Sequence, residues 1–291
     1  MKKKFSPLDI VISIAVLGLF VYIIYRLSYS LNYKWNWGII PSYLLHYNET
    51  EDTWKSGVLL QGFFTTIKLS IWGTVLAAVV GTFMGLMSIS RRLFFRLNAR
   101  TYVELVRNIP ALVLVFIFYF FVSDEIMPLL RVDELGRSLT GNSLWLFSLV
   151  LSKPEMITQF LSGVITLGLF QGAYISEIVR GGIQAIERGQ WEASAALGLS
   201  RWKQMRHVIL PQAIRNMLPP LANEFINTIK YSSIVSVISI QELTFQGMQV
   251  MASTQVTIEV WLTITAMYLF LCLCLSLFVG RLENKLSQNK L

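Results

Sequence analysis

Two cysteines, two histidines and few charged residues leave little room for several kinds of protein. Cys272 and Cys274 stand one residue apart in an apolar run, where they share no helix face and form no sensible bridge. A disulfide framework is thereby excluded, and the pair reads as small apolar helix residues. His46 and His207 are too few, and too far apart along the chain, to hold a metal, so none is expected. Charged residues make up 14% of the chain, against roughly 25% in an ordinary soluble domain. The chain has no GxxxxGK[ST] phosphate loop, no GxSxG elbow, no HExxH and no pair of carboxylates inside the membrane with an obvious acid–base partner. No catalytic residue is expected, and the chain is not an enzyme by itself.

What it has in abundance is apolar surface: 54% hydrophobic residues and a mean hydropathy of +0.55. A bilayer tolerates that much. Windows of about 20 apolar residues, enough to cross about 30 Å of hydrocarbon, fall near Leu8–Leu27, Phe64–Ile89, Tyr102–Val122, Met156–Ile178, Ala222–Ile240 and Thr257–Val279. The fifth is interrupted by Asn223, Glu224, Asn227 and Lys230. The fold class is an all-α membrane protein of about six transmembrane helices. The lysine-rich start could open a cleavable signal peptide. Its apolar run is longer than a usual h-region, however, and no small-x-small site follows, so it is expected to stay as the first span.

The formal net charge of +8 reflects topology rather than nucleic-acid binding. Basic residues gather at Lys2–Lys4, at Arg91, Arg92, Arg96 and Arg100, at Arg188, Arg201, Lys203, Arg206 and Arg215, and at Arg281, Lys285 and Lys290. The alternate segments carry Glu49, Glu51, Asp52, Asp124, Glu125, Asp133, Glu134, Glu155 and Glu242. Lys and Arg are retained in the cytoplasm, which makes both termini cytoplasmic and the acidic loops external.

Inside the spans, Gly73, Ala77, Gly81 and Gly85 recur every fourth residue and form one small-residue face for close helix packing. Lys68, Glu104, Arg107, Glu177, Glu224, Lys230 and Glu259 are costly within lipid, by about 2.5 to 3.5 kcal/mol each at a helix centre, and so face a bundle interior, a partner or water. Lys230, with Ser232, Ser233, Ser236 and Ser239, suits a translocation path for a small charged or zwitterionic solute. Equally, the serines could bond back to helix carbonyls while Lys230 pairs with a glutamate.

The most ordered polar stretch is EASAALGLSRWKQMRHVILP, Glu192 to Pro211. Two helices are expected, Trp191–Leu197 and Arg201–Val208, joined at Gly198 and ending before Pro211. They make a cytoplasmic elbow. The small residues Ala193, Ser194, Ala195 and Ala196 leave a shallow face for a partner's groove, with Glu192 as a charged anchor.

This stretch resembles the EAA motif of bacterial ABC importer permeases: EAA, three residues, Gly, nine residues, Ile, one residue, Leu-Pro. Here Glu192, Ala193, Ser194, Gly198, Val208, Leu210 and Pro211 keep the spacing, with Ser194 and Val208 as conservative departures. Ala173–Ser200 is similar to the longer signature of the polar amino-acid branch, the histidine, glutamine and general amino-acid permeases. Ile229–Ile234 resembles its Leu-Lys-x-Ser/Thr-Ser-Leu motif. YVELVRNIPALVLVFIFYF resembles its E-x-x-R-G/N-x-P patch. The similarity covers about Gly57 to Glu283.

The resemblance implies a type I ABC importer permease fold in which residues 1–56 add a transmembrane helix and outer loop to a transmembrane domain at 57–291. Its coupling loop is 187–215. It also implies a bacterial inner-membrane permease subunit that imports amino acids. The implied partners are a second permease subunit, a cytoplasmic ATPase dimer that binds ATP and Mg, and an extracytoplasmic binding protein. Coupling would fall to Glu192, Ala193, Ser194, Gly198, Leu210 and Pro211, and the solute path to Lys230, Ser232, Ser233 and Glu177. Importing another small polar solute is one alternative, and an ATPase-independent channel or scaffold is another. Residues 123–155 exceed a minimal member and include the apolar piece Ser143–Leu151. They form either an outer element that contacts the binding protein or a passive insertion.

Overall fold

The computed structural model describes residues 7–30, 33–49, 52–132, 134 and 142–288. The chain divides into two compact units, Met1–Ile39 and Ile40–Leu291. The first holds the apolar helix α1, Pro7–Ser30, and a single 3₁₀ turn, Trp37–Ile39, whose Trp37 ring stacks on Trp35. The boundary precedes the expected residue 56 because the short helix α2, Ile40–Leu44, folds back on the second unit, with Gly57 N donating to Leu44 O at 2.7 Å.

Among the described residues, the second unit departs from an all-helical reading at a hairpin of β1, Leu45–Asn48, and β2, Thr53–Ser56. Its antiparallel register pairs Tyr47 with Trp54, whose rings meet edge-on at 5.4 Å. His46 lies on β1. Then come α3, Val58–Ser88, α4, Leu93–Asn108, and α5, Ala111–Phe121. A π turn, Val122–Ile126, leads to the short α6, Met127–Leu129, and α7 occupies Asn142–Val150. The long α8 runs Ile157–Gln184, followed by α9, Arg188–Ala196, and α10, Arg201–Gln204. The chain closes with α11, Leu210–Ser232, α12, Leu243–Thr254, and α13, Thr257–Gln288.

Among the described residues, Val58–Ser88, Ala111–Leu129, Pro154–Gln184 and Thr257–Arg281 are long and apolar enough to cross a membrane. Two expected spans need correction. The third was drawn from Tyr102, but Pro110 lacks an N–H and forces Ile109 into extended backbone at φ −97°, ψ 139°. The amphipathic α4 is thus separate from the apolar α5. The fifth was drawn as Ala222–Ile240. Its helix is α11, which starts twelve residues earlier (222 − 210) and gives way to a 3₁₀ turn at Ser233–Ile238. Asn223, Glu224, Asn227 and Lys230 keep α11 too polar to rank among the apolar spans.

The central contact is α3 against α8. Gly73, Ala77, Gly81 and Gly85 are buried along one face of α3, the face their four-residue spacing requires. A Cβ on Gly81 would lie 2.6 Å from Ile175 Cβ, and one on Gly85 would lie 2.7 Å from Val179 Cβ. On α8, Gly168 and Gly172 return the fit, receiving Leu76 and Val80. Leu69, Val115, Phe160, Val164, Leu167, Val235 and Ile238 extend this seam into a core shared by α3, α5, α8 and the 3₁₀ turn.

A second tie is polar. Glu242 is fully buried, although its sequence neighbours placed it among the external acids. Its Oε1 accepts from Phe245 N at 2.8 Å and caps α12. Its Oε2 accepts from Tyr268 Oη on α13 at 2.6 Å and from Thr66 Oγ1 on α3 at 3.3 Å. The Thr66 hydroxyl in turn accepts from Leu243 N at 3.1 Å. Three helices therefore meet on one carboxyl group, which burial pushes up to about 7.

Gly81→Val should lower the thermal midpoint of the detergent-solubilised protein, because overpacking a close seam costs about 1–3 kcal/mol or more. Glu242 tests the polar tie through pH. Because its folded pKa is raised, its stabilisation is fully present below the ordinary 4.5 and is lost as pH rises through about 7. Glu242→Gln, which stays neutral, should remove that part of the decline in melting temperature between about pH 5 and about pH 8. An unchanged pH slope would show that Glu242 is not the titrating group.

Candidate functional site: an exposed elbow and a lysine-lined cavity

The elbow begins where α8 ends. Ala185 N caps onto Gly181 O, and after Ile186 and Glu187 the chain enters α9. Along α9 an exposed ion pair joins Arg188 Nε to Glu192 Oε1 at 3.0 Å. Ala193, Ala195 and Ala196 are exposed. Ser194 is the exception on the expected shallow face: it is 2% exposed, with Oγ donating to Trp191 O at 2.9 Å. Three residues apart on a helix is the same side, and Trp191 packs against the protein, so Ser194 points inward.

Gly198 ends α9 with φ +73°, the left-handed conformation a helix stop favours. Gly198 N donates to Ala195 O at 2.9 Å and Leu199 N to Ser194 O at 3.3 Å, which satisfies the helix end. Open space surrounds the missing side chain, so the backbone and not packing selects glycine here.

The second helix does not stop before Pro211. From Arg201 the chain runs through a π turn, Met205–Ile209, directly into α11, with Pro211 in its first turn. Pro211 has no N–H to give to His207 O, and the widened turn, in which Leu210 N reaches back to Met205 O, absorbs that loss. Leu210 is half-buried and Pro211 exposed. Ile183, Ile186, Ile209, Ala213 and Met217 make an apolar base for the elbow, with Trp191, Met205 and Val208 packed on it. Gln212 Nε2 bridges to Gln190 Oε1 at 3.1 Å, and Gln204 Nε2 donates to Leu199 O at 2.8 Å.

Two residues of the elbow went unnoticed in the sequence. Leu197 and Trp202 are 79% and 69% exposed on either side of Gly198. Large apolar side chains that a polar, basic segment leaves in solvent mark a surface meant to be covered. Their apolar character beside Gly198 was the available signal.

The proposed path residues separate into three places. Lys230 is exposed and, with Ser233, lines a cavity of about 490 Å³ completed by Thr244, Trp261, Ile264, Thr265, Tyr268, Leu269 and Cys272. Among the described residues Lys230 has no ion-pair partner within 4 Å. Ser232 is buried away from this cavity, donating to Ile229 O at 2.7 Å, and Ser233 and Ser236 likewise donate to Lys230 O and Ser233 O. Glu177 stands apart on α8. Its carboxylate takes a fork from Arg180 at 3.0 and 2.6 Å and lies 3.7 Å from Arg107, whose guanidinium covers Tyr174. Deeper still, Gln171 Nε2 donates to Thr228 Oγ1 at 3.1 Å, a buried link between α8 and α11.

Four helices long and apolar enough to cross a membrane, with an exposed helical elbow between α8 and α11, fit a multi-pass membrane subunit. The chain matches the family of the binding-protein-dependent transport system inner membrane component over residues 73–288, and it belongs to that family. It is therefore a multi-pass inner-membrane protein. Among curated relatives, the glutamine transport system permease protein GlnP of Escherichia coli K12 is 34% identical over 75% of this chain and 90% of its own length. The glutamate/aspartate import permease protein GltJ of the same strain is 32% identical over 86% and 94%. A crystal structure of an amino acid ABC transporter with histidines superposes with a TM-score of 0.63 at 32% identity, covering 78% of this chain and 94% of that one. The fold is that of type I ABC importer permeases.

Gly198→Ala should cost about 1–2 kcal/mol, the penalty of a Cβ in left-handed backbone, and Gly198→Asn less. Melting temperatures of the two variants beside the parent check this. Equal midpoints would mean the turn relaxes out of its positive φ.

Proposed function

We propose that the chain is the membrane permease subunit of an ATP-driven importer for amino acids. It works beside a second permease subunit, identical or related. It stands on a cytoplasmic ATPase dimer that binds ATP and Mg, and it takes solute from an extracytoplasmic binding protein. The permeases to which it is similar are named for glutamine and for glutamate and aspartate, which supports the cargo class. The single observation that carries the coupling role is the elbow: Glu192, Gly198 and the exposed Leu197 and Trp202 displayed on an apolar base that joins α8 to α11.

In this reading α9 sits in a groove of the ATPase. Nucleotide-driven closure moves the elbow, and because the elbow is packed into both α8 and α11, those helices turn with it and expose the path alternately to each side. Both termini and the elbow lie in the cytoplasm, as the basic residues direct. Lys230 and Ser233 face the solute, with the ammonium positioned for a carboxylate. Ser232 and Glu177 act from outside that cavity, Ser232 by holding the end of α11 and Glu177 by tying α4 to α8 through Arg107 and Arg180. An ATPase-independent channel would leave the exposed apolar elbow without a partner.

Glu192→Lys and Gly198→Asp should leave the protein in the membrane at parental levels while lowering ATP-dependent amino-acid uptake by about tenfold or more. The check is uptake in cells beside immunodetection of the chain in isolated membranes. Normal uptake by both variants would sink the coupling assignment.

A further inference from the structure

A second cavity, of about 470 Å³, is bounded by the first three turns of α3, the first turn of α8, the segment following α7, and the turn into α12. Its volume falls within the roughly 300–1,000 Å³ usual for small-molecule sites. It is far more polar than the Lys230 cavity. Lys68 faces it from α3, Lys153 and Glu155 from the approach to α8, and Gln159, Gln241 and Gln246 complete a ring of amides.

Three observations point to a ligand there. Lys68 is part-buried and spends one of its three N–H donors on Ser148 O at 2.6 Å, and among the described residues it has no carboxylate within ion-pair distance. Gln246 is only 9% exposed. Its amide nitrogen makes one long bond, 3.4 Å to Gln241 Oε1, and its carbonyl oxygen accepts no bond among the described residues. Third, the wall is built: Lys68 and Trp72 cap the last carbonyls of α7, Ser148 O and Val150 O, and so fix Ser148–Lys153 over the cavity. The end of α7 is thereby docked on α3.

We propose that this cavity is a second solute site at the outer mouth, one that takes an α-amino acid by its carboxylate on Lys68, with Gln246 receiving an N–H of the solute. The inference rests on the importer reading and on its assignment of the first turns of α3 and α8 to the outer side. The first turn of α12 borders both cavities, Gln246 on this one and Thr244 on the Lys230 cavity. Two residues apart on a helix point to opposite sides, so the two cavities flank that turn.

The test uses the assembled importer, permease with its ATPase and binding protein, in lipid vesicles. It reads the half-saturation of radiolabelled glutamine uptake, with unlabelled glutamine and its carboxamide analogue glutaminamide as competitors. Lys68→Gln should raise the half-saturation about tenfold or more and erase the preference for glutamine over glutaminamide, as loss of a charge-assisted bond requires. Lys68→Arg should restore most of both. Gln246→Leu, which leaves the α7 anchor alone, should weaken glutamine without altering that preference. Parental values in Lys68→Gln, or loss in Lys68→Gln with parental values in Gln246→Leu, would overturn the site, the latter reducing Lys68 to an anchor for α7. A defect confined to affinity for the binding protein would overturn it in favour of a docking surface. Absence of amino-acid uptake by the parent assembly would instead overturn the importer reading itself.

Discussion

Everything else in this molecule hangs on how closely α3 approaches α8. In lipid there is no hydrophobic gain from bringing two apolar helices together, so the attraction must come from contact area and van der Waals fit. Glycines at Gly81 and Gly85 let the branched side chains Ile175 and Val179 sit where a Cβ would otherwise be, and Gly168 and Gly172 do the same for Leu76 and Val80. The knobs on each helix are β-branched or bulky and the holes are glycine, so the seam has one register. That register sets the position of α5 and the 3₁₀ turn against the N-terminal half of α8 and of the elbow against its C-terminal half.

The elbow inherits its stiffness from that seam. Ile183 and Val179 of α8 belong to the same apolar cluster as Ile209, Ala213 and Met217 of the π turn and α11, so a push on α9 meets packed side chains rather than a loose loop. The unbroken passage from α10 into α11 matters for the same reason. A helix that stopped before Pro211 would place a hinge between the elbow and α11, whereas the π turn joins the two without a break.

How much of this was legible depended on whether the signal was periodic. The four-residue spacing of Gly73, Ala77, Gly81 and Gly85 is a helix-face pattern, and the structure uses that face. Glu192, Gly198 and Pro211 were legible as a spaced motif. The prolines were harder, because a proline reads as a stop while its effect depends on what the preceding turn can absorb. Pro110 breaks the chain, whereas Pro211, Pro219 and Pro220 are carried within α11. Glu242 was illegible for a different reason. Its environment comes from Thr66 and Tyr268, far away in sequence, and local context made an external acid of a buried cap. The hairpin at residues 45–56 was missed because a four-residue strand offers too little alternation to stand out. Asp133, expected among the external acids, lies outside the described residues, as does 135–141 within the segment 123–155.

The polar groups of the core are not spread at random through it. Glu177 is neutralised by two arginines, and Glu242 is satisfied by a backbone N–H and two hydroxyls, so both of these carboxylates serve the scaffold. The lysines are treated differently. Neither Lys68 nor Lys230 has an acidic partner within ion-pair distance among the described residues, and each opens on a cavity. An ammonium without a counter-ion is expensive in a membrane protein, and leaving two of them at opposite faces of the α12 turn makes sense when the missing anion arrives with the solute. Carboxylates that hold helices and lysines left without one are the division of labour that the proposed path for amino acids requires.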